Sequence, residues 1–283
     1  MNKERSGTAF IGCEAAYANS GIVLFGAPFD GTTSYRPGAR FGPAAMRGES
    51  YGLETYSPYI DRDLTEFAVH DSGDLELPFG NTTRVLDMIE ACAQEIVTDG
   101  KRPVMLGGEH LTTLGCVRAM VRAYPELCVL HLDAHADLRD NYLGEQLSHA
   151  TVMRRCWDIL GDNRIWQFGI RSGERAEFAF AAAHTHMRRF DFAGLQEACS
   201  ALQGKPVYVT IDMDVLDSGV FPGTGTPEAG GVGFAALVEA LDVMMVLQVV
   251  GADLVELSPP NDAGGASTAL ACKLLRELLV RMG

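Results

Sequence analysis

Residues 127–137 read Leu-Cys-Val-Leu-His-Leu-Asp-Ala-His-Ala-Asp, an apolar run that ends in ionisable side chains at every second position. A continuous apolar run of this length is typical of a strand that is buried on both faces of a parallel sheet. Residues at i, i+2 and i+4 of an extended segment point to one side, so Asp133, His135 and Asp137 can converge. The stretch therefore predicts a buried parallel strand that carries a polar cluster at its carboxyl end.

Strand-like and helix-like segments alternate on either side of this stretch. Five other apolar, β-rich runs lie at 21–25, 103–106, 164–170, 206–211 and 249–255. Apolar residues recur at helical spacing in four segments, at 82–98, 112–123, 234–247 and 268–282. Asn81 and Asp191 are positioned to cap helices. The alternation predicts a three-layer α/β domain, with long loops and an edge strand over 1–80 and the α/β core over 81–283.

The composition restricts the classes of partner. With 47% hydrophobic and 21% charged residues, the 283-residue chain is not disordered as a whole. Its formal charge of −14 argues against nucleic acid and anionic membranes, and is compatible with a cationic substrate. The longest apolar runs, such as 243–250, are too short to span a membrane, and the mixed charges of 1–5 predict no signal peptide. Seven cysteines without a Cys-x-x-Cys pair predict reduced thiols and a cytoplasmic protein.

Three more of the apolar runs also end in polar motifs. Gly107-Gly-Glu-His110, Asp212-Met-Asp214 and Glu256 each follow a predicted strand directly. Ligands of open parallel sheets bind just beyond the carboxyl ends of the strands. We therefore expect these side chains to gather at the same edge as the cluster that follows the run at 127–132.

The gathered side chains predict a metal centre with six candidate ligands: His110, Asp133, His135, Asp137, Asp212 and Asp214. One Asp-x-Asp after a strand is as often a solvated turn as a ligand. The prediction therefore rests on the combination of six candidate ligands, three strand ends and period-two spacing. Clustered carboxylates repel one another unless cations neutralise them. Aspartate and histidine without thiolate favour a metal such as manganese, and two ions could hold water as hydroxide. We expect His131 to face away from this row, and to be buried or to support the ligands rather than to bind metal itself.

The motifs resemble those of the ureohydrolase family, which includes arginases and agmatinases. The resemblance rests on 107–110, 133–137, Ile-Asp-Met-Asp-Val-Leu-Asp at 211–217 and Gly-Thr-Gly-Thr-Pro-Glu at 223–228, and runs from residue 26 to residue 256. Ser34-Tyr-Arg-Pro-Gly-Ala-Arg-Phe-Gly-Pro43 looks like the agmatinase branch. The family implies a single-domain α/β/α sandwich over 1–283, with about eight parallel strands, that assembles as a trimer or hexamer.

The resemblance also implies roles for individual residues. One Mn²⁺ would be held by His110, Asp133, Asp137 and Asp212, and a second by Asp133, His135, Asp212 and Asp214. His149 matches the catalytic histidine, and Glu256 matches the carboxylate that pairs with the substrate guanidinium. Asp214 would also stabilise the tetrahedral intermediate. Glu228 is a candidate reader of a distal amine, or only a turn residue after Pro227.

The implied reaction is hydrolysis of agmatine to putrescine and urea, by attack of a metal-bridging hydroxide on the guanidinium carbon. Arginine is disfavoured because Asp137-Leu138-Arg139 lacks the asparagine that arginases carry there. Aminopropylagmatine stays open as a substrate, and so does guanidinobutyrate, whose carboxylate Arg36, Arg139 or Arg154 could pair.

Further alternatives are hydrolysis of formiminoglutamate, amide deacetylation and a relative that binds metal without catalysis. Deacetylases lack the paired Asp-x-Asp and the histidine at the position of His110, and a silent relative would lack a ligand, His149 or Glu256. The segment 257–267 departs from the agmatinase pattern beside Glu256. It therefore bears on the substrate prediction more than on the reaction.

Overall fold

The structure is a computed structural model and describes residues 7–283. Its strands are β1 (Ile22–Ala27), β2 (Tyr56–Ser57), β3 (Arg62–Asp63), β4 (Val69–Asp74), β5 (Arg102–Gly107), β6 (Cys128–Leu132), β7 (Ile165–Ile170), β8 (His186–Arg189), β9 (Pro206–Asp212) and β10 (Gln248–Val255). Eight of them form one sheet in the order β4-β1-β5-β10-β9-β6-β7-β8. All neighbours in this sheet are parallel, whereas β2 and β3 form a separate antiparallel pair.

The α-helices of the described chain are α1 (Gly42–Glu49), α2 (Thr82–Thr98), α3 (Thr113–Ala123), α4 (Val152–Leu160), α5 (Arg175–His184), α6 (Leu195–Leu202), α7 (Phe234–Met244) and α8 (Ala266–Met282). None of the helices within residues 7–283 combines the length and the apolar character that a membrane crossing requires.

The helices cover both faces of the sheet because alternate strand residues point to opposite sides. In β1, Ile22 and Leu24 belong to one buried cluster, together with residues of α1, α6, α7 and α8. Val23 and Phe25 belong to a second cluster, with residues of α2, α3, α4 and α5. The predicted three-layer sandwich with a parallel sheet of eight strands is confirmed.

Most of the predicted elements are present. All six predicted strands and all four predicted helices form, with small shifts at their ends. Asn81 caps α2, since its side chain accepts a hydrogen bond from Arg84 N at 3.0 Å. The predicted cap at Asp191 is wrong. Its carboxylate instead accepts from Ala193 N at 3.0 Å in a local turn, and α6 begins only after Gly194.

The N-terminal part of the chain, predicted as long loops and one edge strand, contributes two strands to the main sheet. β1 lies inside the sheet and β4 forms its edge. The sequence pattern misses β4 because it reads Val-His-Asp-Ser-Gly-Asp, although most of it is buried. Burial of Asp71 is possible because Arg47 of α1 donates to it from Nε at 2.8 Å. Residues 1–5, for which no signal peptide is predicted, lie outside the described residues.

A buried carboxylate ties α8 to the segment around β2. Glu277 is fully buried and accepts hydrogen bonds from Ser57 Oγ at 2.6 Å, from Arg281 Nη1 at 2.6 Å and from the Arg276 guanidinium. Arg276 also donates to the carbonyl of Glu54 at 2.9 Å. Glu277 is therefore the carboxylate partner of Arg276, whereas Arg281 also pairs with Asp242 at 2.6 Å.

Replacing Glu277 with glutamine is expected to lower the free energy of unfolding by about 3–5 kcal/mol near pH 7, because it leaves the buried Arg276 without a carboxylate partner. Burial acts to raise the pKa of Glu277, but hydrogen bonds from Ser57, Arg281 and Arg276 together lower it below its ordinary value. The stabilisation is therefore present above the ordinary pKa of about 4.3 and is lost as the pH falls through the lowered folded-state value. Denaturant unfolding at several pH values would measure both effects. The exposed Glu239→Gln is the control, and equal stability of Glu277→Gln and wild type would contradict the prediction.

Candidate metal centre and substrate cavity

The six predicted ligands lie at one edge of the sheet. Five of them follow β5, β6 or β9, Asp212 is the last residue of β9, and Glu256 follows β10. These four strands are neighbours in the order β5-β10-β9-β6, and all are parallel. Their carboxyl ends therefore meet at the middle of the same edge, as expected for ligand sites of parallel sheets.

One imidazole nitrogen is surrounded by carboxylates. His110 Nδ1 lies 3.0 Å from Asp133 Oδ2, 3.2 Å from Asp137 Oδ2 and 3.2 Å from Asp212 Oδ2. The other nitrogen, Nε2, is 3.0 Å from Thr210 Oγ1. Nδ1 is buried and makes no hydrogen bond of proper geometry within the described chain. An unpartnered nitrogen among three anionic oxygens is the donor arrangement that a divalent cation requires.

A second group lies next to the first and shares Asp133 with it. His135 Nδ1 is 3.0 Å from Asp214 Oδ2 and 3.6 Å from Asp133 Oδ1. The ligand atoms of these three residues lie within 4.8 Å of one another and could hold a metal ion. Asp212 connects the two groups, because its Oδ1 accepts from Asp214 N at 2.9 Å while its Oδ2 faces His110.

Electrostatics also favours a cation here. Burial, together with the charges of Asp214 and Asp133, raises the pKa of Asp212 well above its ordinary value. Burial likewise raises the pKa of Asp214. The carboxylates raise the pKa of His110 well above its ordinary value, against the opposing effect of burial. Bound divalent metal would remove the repulsion among these carboxylates. The residues therefore fit the divalent metal centre that their oxygen and nitrogen donors imply.

The predicted orientation of His131 is wrong, although its burial is correct. His131 lies two positions before Asp133, so the same alternation that aligns the ligands brings it to their side of the strand. Its Nε2 lies 2.7 Å from Asp133 Oδ2.

Two residues behind His110 were not predicted as part of the site. Thr210 contacts His110 Nε2, and Asp253 is fully buried, with Tyr208 donating to its Oδ2 at 2.8 Å. Burial raises the pKa of Asp253. The sequence signal that could have drawn attention to Asp253 is a carboxylate inside the apolar run at 249–255.

The two glycines before Glu109 allow backbones to approach closely. A Cβ on Gly108 would lie 1.9 Å from the carbonyl oxygen of Phe29, which accepts from Glu109 N at 2.7 Å. A Cβ on Gly107 would lie 2.5 Å from Val255 Cγ1. Glycine is therefore needed at 107 and 108 because a side chain would collide with neighbouring atoms, and not because the backbone is left-handed there.

Gly108→Ala is expected to lower the free energy of unfolding by about 1–3 kcal/mol, since the Phe29 backbone must move to make room. Gly48→Ala is the matched control. Gly48 lies in α1 with no atom within 4 Å of its added Cβ, and alanine there should stabilise the helix by about 1 kcal/mol. Urea unfolding of both variants gives the comparison, and a gain of stability in Gly108→Ala would refute the steric explanation.

His149 lies in the same cavity as His110, His135, Asp212 and Glu256. Its backbone N–H donates to Thr32 Oγ1 at 3.1 Å, and its Nε2 is 3.4 Å from Ser34 Oγ. Burial lowers the pKa of His149 below its ordinary value. A neutral imidazole beside the clustered ligands can accept a proton and pass it on.

Glu109 is a further residue whose role was not predicted. It is fully buried and accepts from Thr32 N at 3.0 Å and from Thr33 Oγ1 at 3.2 Å. Its Oε2 is 3.9 Å from His149 Nδ1, and burial raises the pKa of Glu109 to about 7. Glu109 thus connects the loop after β1 to His149. Contacts between such distant segments leave no signal in sequence spacing.

Glu256 and Glu228 occupy different parts of the site. Glu256 has a φ of 66°, a left-handed conformation that is costly for a non-glycine residue and is characteristic of functional sites. Its Oε1 accepts from His110 N at 2.8 Å, and no described residue hydrogen-bonds Oε2. Glu228 is 40% exposed, accepts from Ser172 Oγ at 2.9 Å and lies 3.8 Å from His135 Nε2.

The cavity above these residues has a volume of about 260 Å³, and Arg139, Tyr142 and Glu174 are among its lining residues. Arg139 is already paired, with Nη1 3.1 Å from Glu174 Oε1 and Nε 3.5 Å from Glu177 Oε2. Its guanidinium also lies 4.6 Å from the centre of the Tyr142 ring. The positive charge of Arg139 is therefore neutralised by neighbouring glutamates within the cavity lining.

Comparison with known proteins gives consistent relatives. The model of the Arginase family matches residues 20–280. An agmatinase of Bacillus anthracis is 46% identical over 279 residues, which cover 97% of this chain and 96% of that protein. N(1)-aminopropylagmatine ureohydrolase of Thermococcus kodakarensis is 38% identical, with coverages of 90% and 88%. The crystal structure of a Clostridium difficile protein, proposed to be an agmatinase, is 50% identical with a TM-score of 0.92 and coverages of 93% and 97%.

Proposed function

The chain belongs to the arginase family, and from this premise we propose that it is an agmatinase-type ureohydrolase that converts agmatine and water to putrescine, a polyamine, and urea. The observation that carries the proposal is Glu256. Its carboxylate lines the cavity beside the clustered ligands and keeps one oxygen free. A planar guanidinium can donate paired N–H bonds to such a carboxylate.

The proposed cofactor is a pair of Mn²⁺ ions. The predicted ligand sets, which share Asp133 and Asp212, would hold them. Hard oxygen and imidazole donors without thiolate support manganese as the metal. When bound, the pair supplies a water that ionises near neutral pH and can act as the nucleophile.

The chain's own residues would orient the substrate and move its proton. Glu256 would hold the guanidinium so that its carbon faces the ligand cluster. Asp214 would stabilise positive charge on the reacting group as the carbon becomes tetrahedral. Burial lowers the pKa of His149 and so favours its neutral form, which would take a proton at Nε2 and deliver it to the leaving amine.

An amine tail is favoured over a carboxylate tail. Arg36 donates to the Thr224 carbonyl at 2.6 Å, and Arg139 is paired with two glutamates. Arg154 lies 4.0 Å from the centre of the Phe180 ring. Each of these three arginines thus has a partner in the protein, which for Arg154 includes Asp140 Oδ1 at 3.7 Å, and this disfavours guanidinobutyrate. Glu228 can instead attract a distal ammonium group, and the longer amine of aminopropylagmatine is the competing substrate.

The test is urea release by the manganese-loaded protein from agmatine, arginine, guanidinobutyrate and aminopropylagmatine in parallel. We expect the highest kcat/KM for agmatine, and loss of urea in His149→Ala and Asp214→Ala. Glu228→Gln should lower kcat/KM for agmatine by up to about fivefold, since its carboxylate is partly exposed, and should leave butylguanidine, which has no amine, unchanged. A higher kcat/KM for another substrate would mean that agmatine is not the preferred substrate and that residues other than Glu228 select the tail. No urea from any substrate would exclude the proposed reaction.

We further propose a homo-oligomer, trimeric or hexameric, in the cytoplasm. All seven cysteines are buried thiols that form no disulfide among the described residues, which supports a reducing compartment. Mass measurement by light scattering would test the assembly.

A further inference from the structure

A chain of buried side chains runs from the outer strands of the sheet to the ligand cluster. Thr185 Oγ1 donates to Gln167 Oε1 at 3.0 Å, and Gln167 Nε2 lies 3.1 Å from His131 Nδ1. His131 Nε2 lies 2.7 Å from Asp133 Oδ2. His131, Gln167 and Asp133 are fully buried, and Thr185 is 9% exposed. Water is therefore not available to replace any of these contacts.

The orientation of the Gln167 amide is determined by its surroundings. Gln167 Nε2 also donates to the carbonyl oxygen of Ala136 at 2.9 Å. A carbonyl oxygen only accepts, so the atom that faces it must be the amide nitrogen. The opposite amide atom, Oε1, accepts from the Thr185 hydroxyl. Turning the amide over would place Oε1 against the Ala136 carbonyl oxygen and break that hydrogen bond.

This orientation sets the tautomer of His131. The second N–H of the Gln167 amide points to His131 Nδ1, which must then accept with its lone pair. In neutral imidazole the proton is therefore on Nε2, and Nε2 donates to Asp133 Oδ2. Both nitrogens of His131 are used within the protein. His131 lies close enough to His110, Asp133 and Asp137 to be counted with them as a ligand, but it has no lone pair left for a metal.

The consequence falls on Asp133, the carboxylate shared by the two ligand groups. Its Oδ1 accepts from His135 N at 2.6 Å, and its Oδ2 accepts from His131. Each carboxylate oxygen has two lone pairs, so one remains on each oxygen after these bonds form. The donors hold the plane of the carboxylate and direct the remaining lone pairs toward the two groups.

We propose that His131, held in one tautomer by Gln167 and Thr185, is a positioning residue that orients Asp133 for metal binding and is not itself a ligand. This inference rests on the metal centre of the proposed function. It assigns to three residues outside the predicted ligand sets the role of fixing the bridging carboxylate. Partners of this kind change metal affinity by about 10–100-fold when removed.

The test is titration of the metal-free protein with Mn²⁺, following free Mn²⁺ by electron paramagnetic resonance. His131→Leu removes the donor, whereas His131→Gln places an amide N–H near the position of Nε2. We expect two Mn²⁺ per chain in every variant, an affinity about 10–100-fold weaker in His131→Leu, and within about threefold of wild type in His131→Gln. Gln167→Leu should weaken binding in the same direction. His186→Gln, on β8 and stacked on Trp166, is the matched control.

Two results would overturn the proposal. Unchanged affinity in His131→Leu or Gln167→Leu would show that the chain does not position Asp133. Loss of one Mn²⁺ in both His131 variants would show that His131 is a ligand. If His131→Leu does not fold, the Mn²⁺ affinity of Gln167→Leu and the number of Mn²⁺ ions bound by His131→Gln still test the proposal. Tight Mn²⁺ binding by wild type without urea release would exclude the proposed reaction and leave this inference standing.

Discussion

Replacing Glu256 with glutamine is expected to reduce kcat/KM for urea release by about 30-fold to 5,000-fold, while Mn²⁺ binding remains. Glutamine keeps an oxygen that can accept from His110 N, which Glu256 Oε1 does at 2.8 Å. It loses the negative charge that would face the guanidinium in a buried site. Loss of one partner of a buried, hydrogen-bonded charge pair costs about 2–5 kcal/mol.

Steady-state assays with agmatine measure this effect, and Mn²⁺ titration shows whether the metal centre survives. Glu239→Gln makes the same isosteric exchange at an exposed site of α7 and should behave as wild type. Wild-type kcat/KM in Glu256→Gln would mean that another group pairs with the guanidinium. Loss of Mn²⁺ in this variant would instead assign Glu256 to the metal centre.

Asp212→Asn is expected to abolish tight binding of at least one Mn²⁺ and to reduce urea release by more than about 1,000-fold, because several kcal/mol of metal-dependent stabilisation are lost. Asp212 contributes Oδ2 beside His110 Nδ1 at 3.2 Å, and its Oδ1 accepts from Asp214 N at 2.9 Å. Like Asp133, it therefore connects the two ligand groups. Bound-metal analysis and the urea assay measure the two effects.

The same substitution should have the opposite effect on the metal-free protein. The folded-state pKa of Asp212 is raised well above its ordinary value by burial and by Asp214 and Asp133. The folded state therefore binds more protons, and the stability of the metal-free protein falls as the pH rises. The neutral asparagine side chain removes this penalty, so the variant should unfold at or above the wild-type temperature in EDTA, and below it with Mn²⁺ present. A variant that is less stable than wild type in EDTA at neutral pH would contradict the electrostatic explanation.

The gathering of the six predicted ligands at one edge can be read from the sequence because it depends on local rules. Period-two spacing aligns Asp133, His135 and Asp137, and parallel strand ends bring His110 and Asp212 to the same edge. The same rules, applied consistently, would have placed His131 beside Asp133. Most of the apolar strands and the longer helices are also readable from their spacing.

The missed features depend on contacts between distant segments. β4 escapes prediction because Arg47 neutralises Asp71 from a helix far along the chain. Glu109 escapes because Thr32 and Thr33 reach it from the loop after β1. Gln167 reads as one polar residue in an apolar run, and only the folded sheet shows that it faces His131.

The order of the strands has a consequence for biosynthesis. β5 and β9 do not pair with each other, since β10 lies between them and pairs with both. His110 and Asp212 therefore cannot come within reach until the ribosome has made residues 248–255 and these have inserted at the centre of the sheet. Chains emerge N-terminus first, so every shorter nascent chain lacks a completed ligand cluster. Completion of the group around His110 must therefore follow insertion of this strand, whereas Asp133, His135 and Asp214 lie at the ends of β6 and β9, which pair directly.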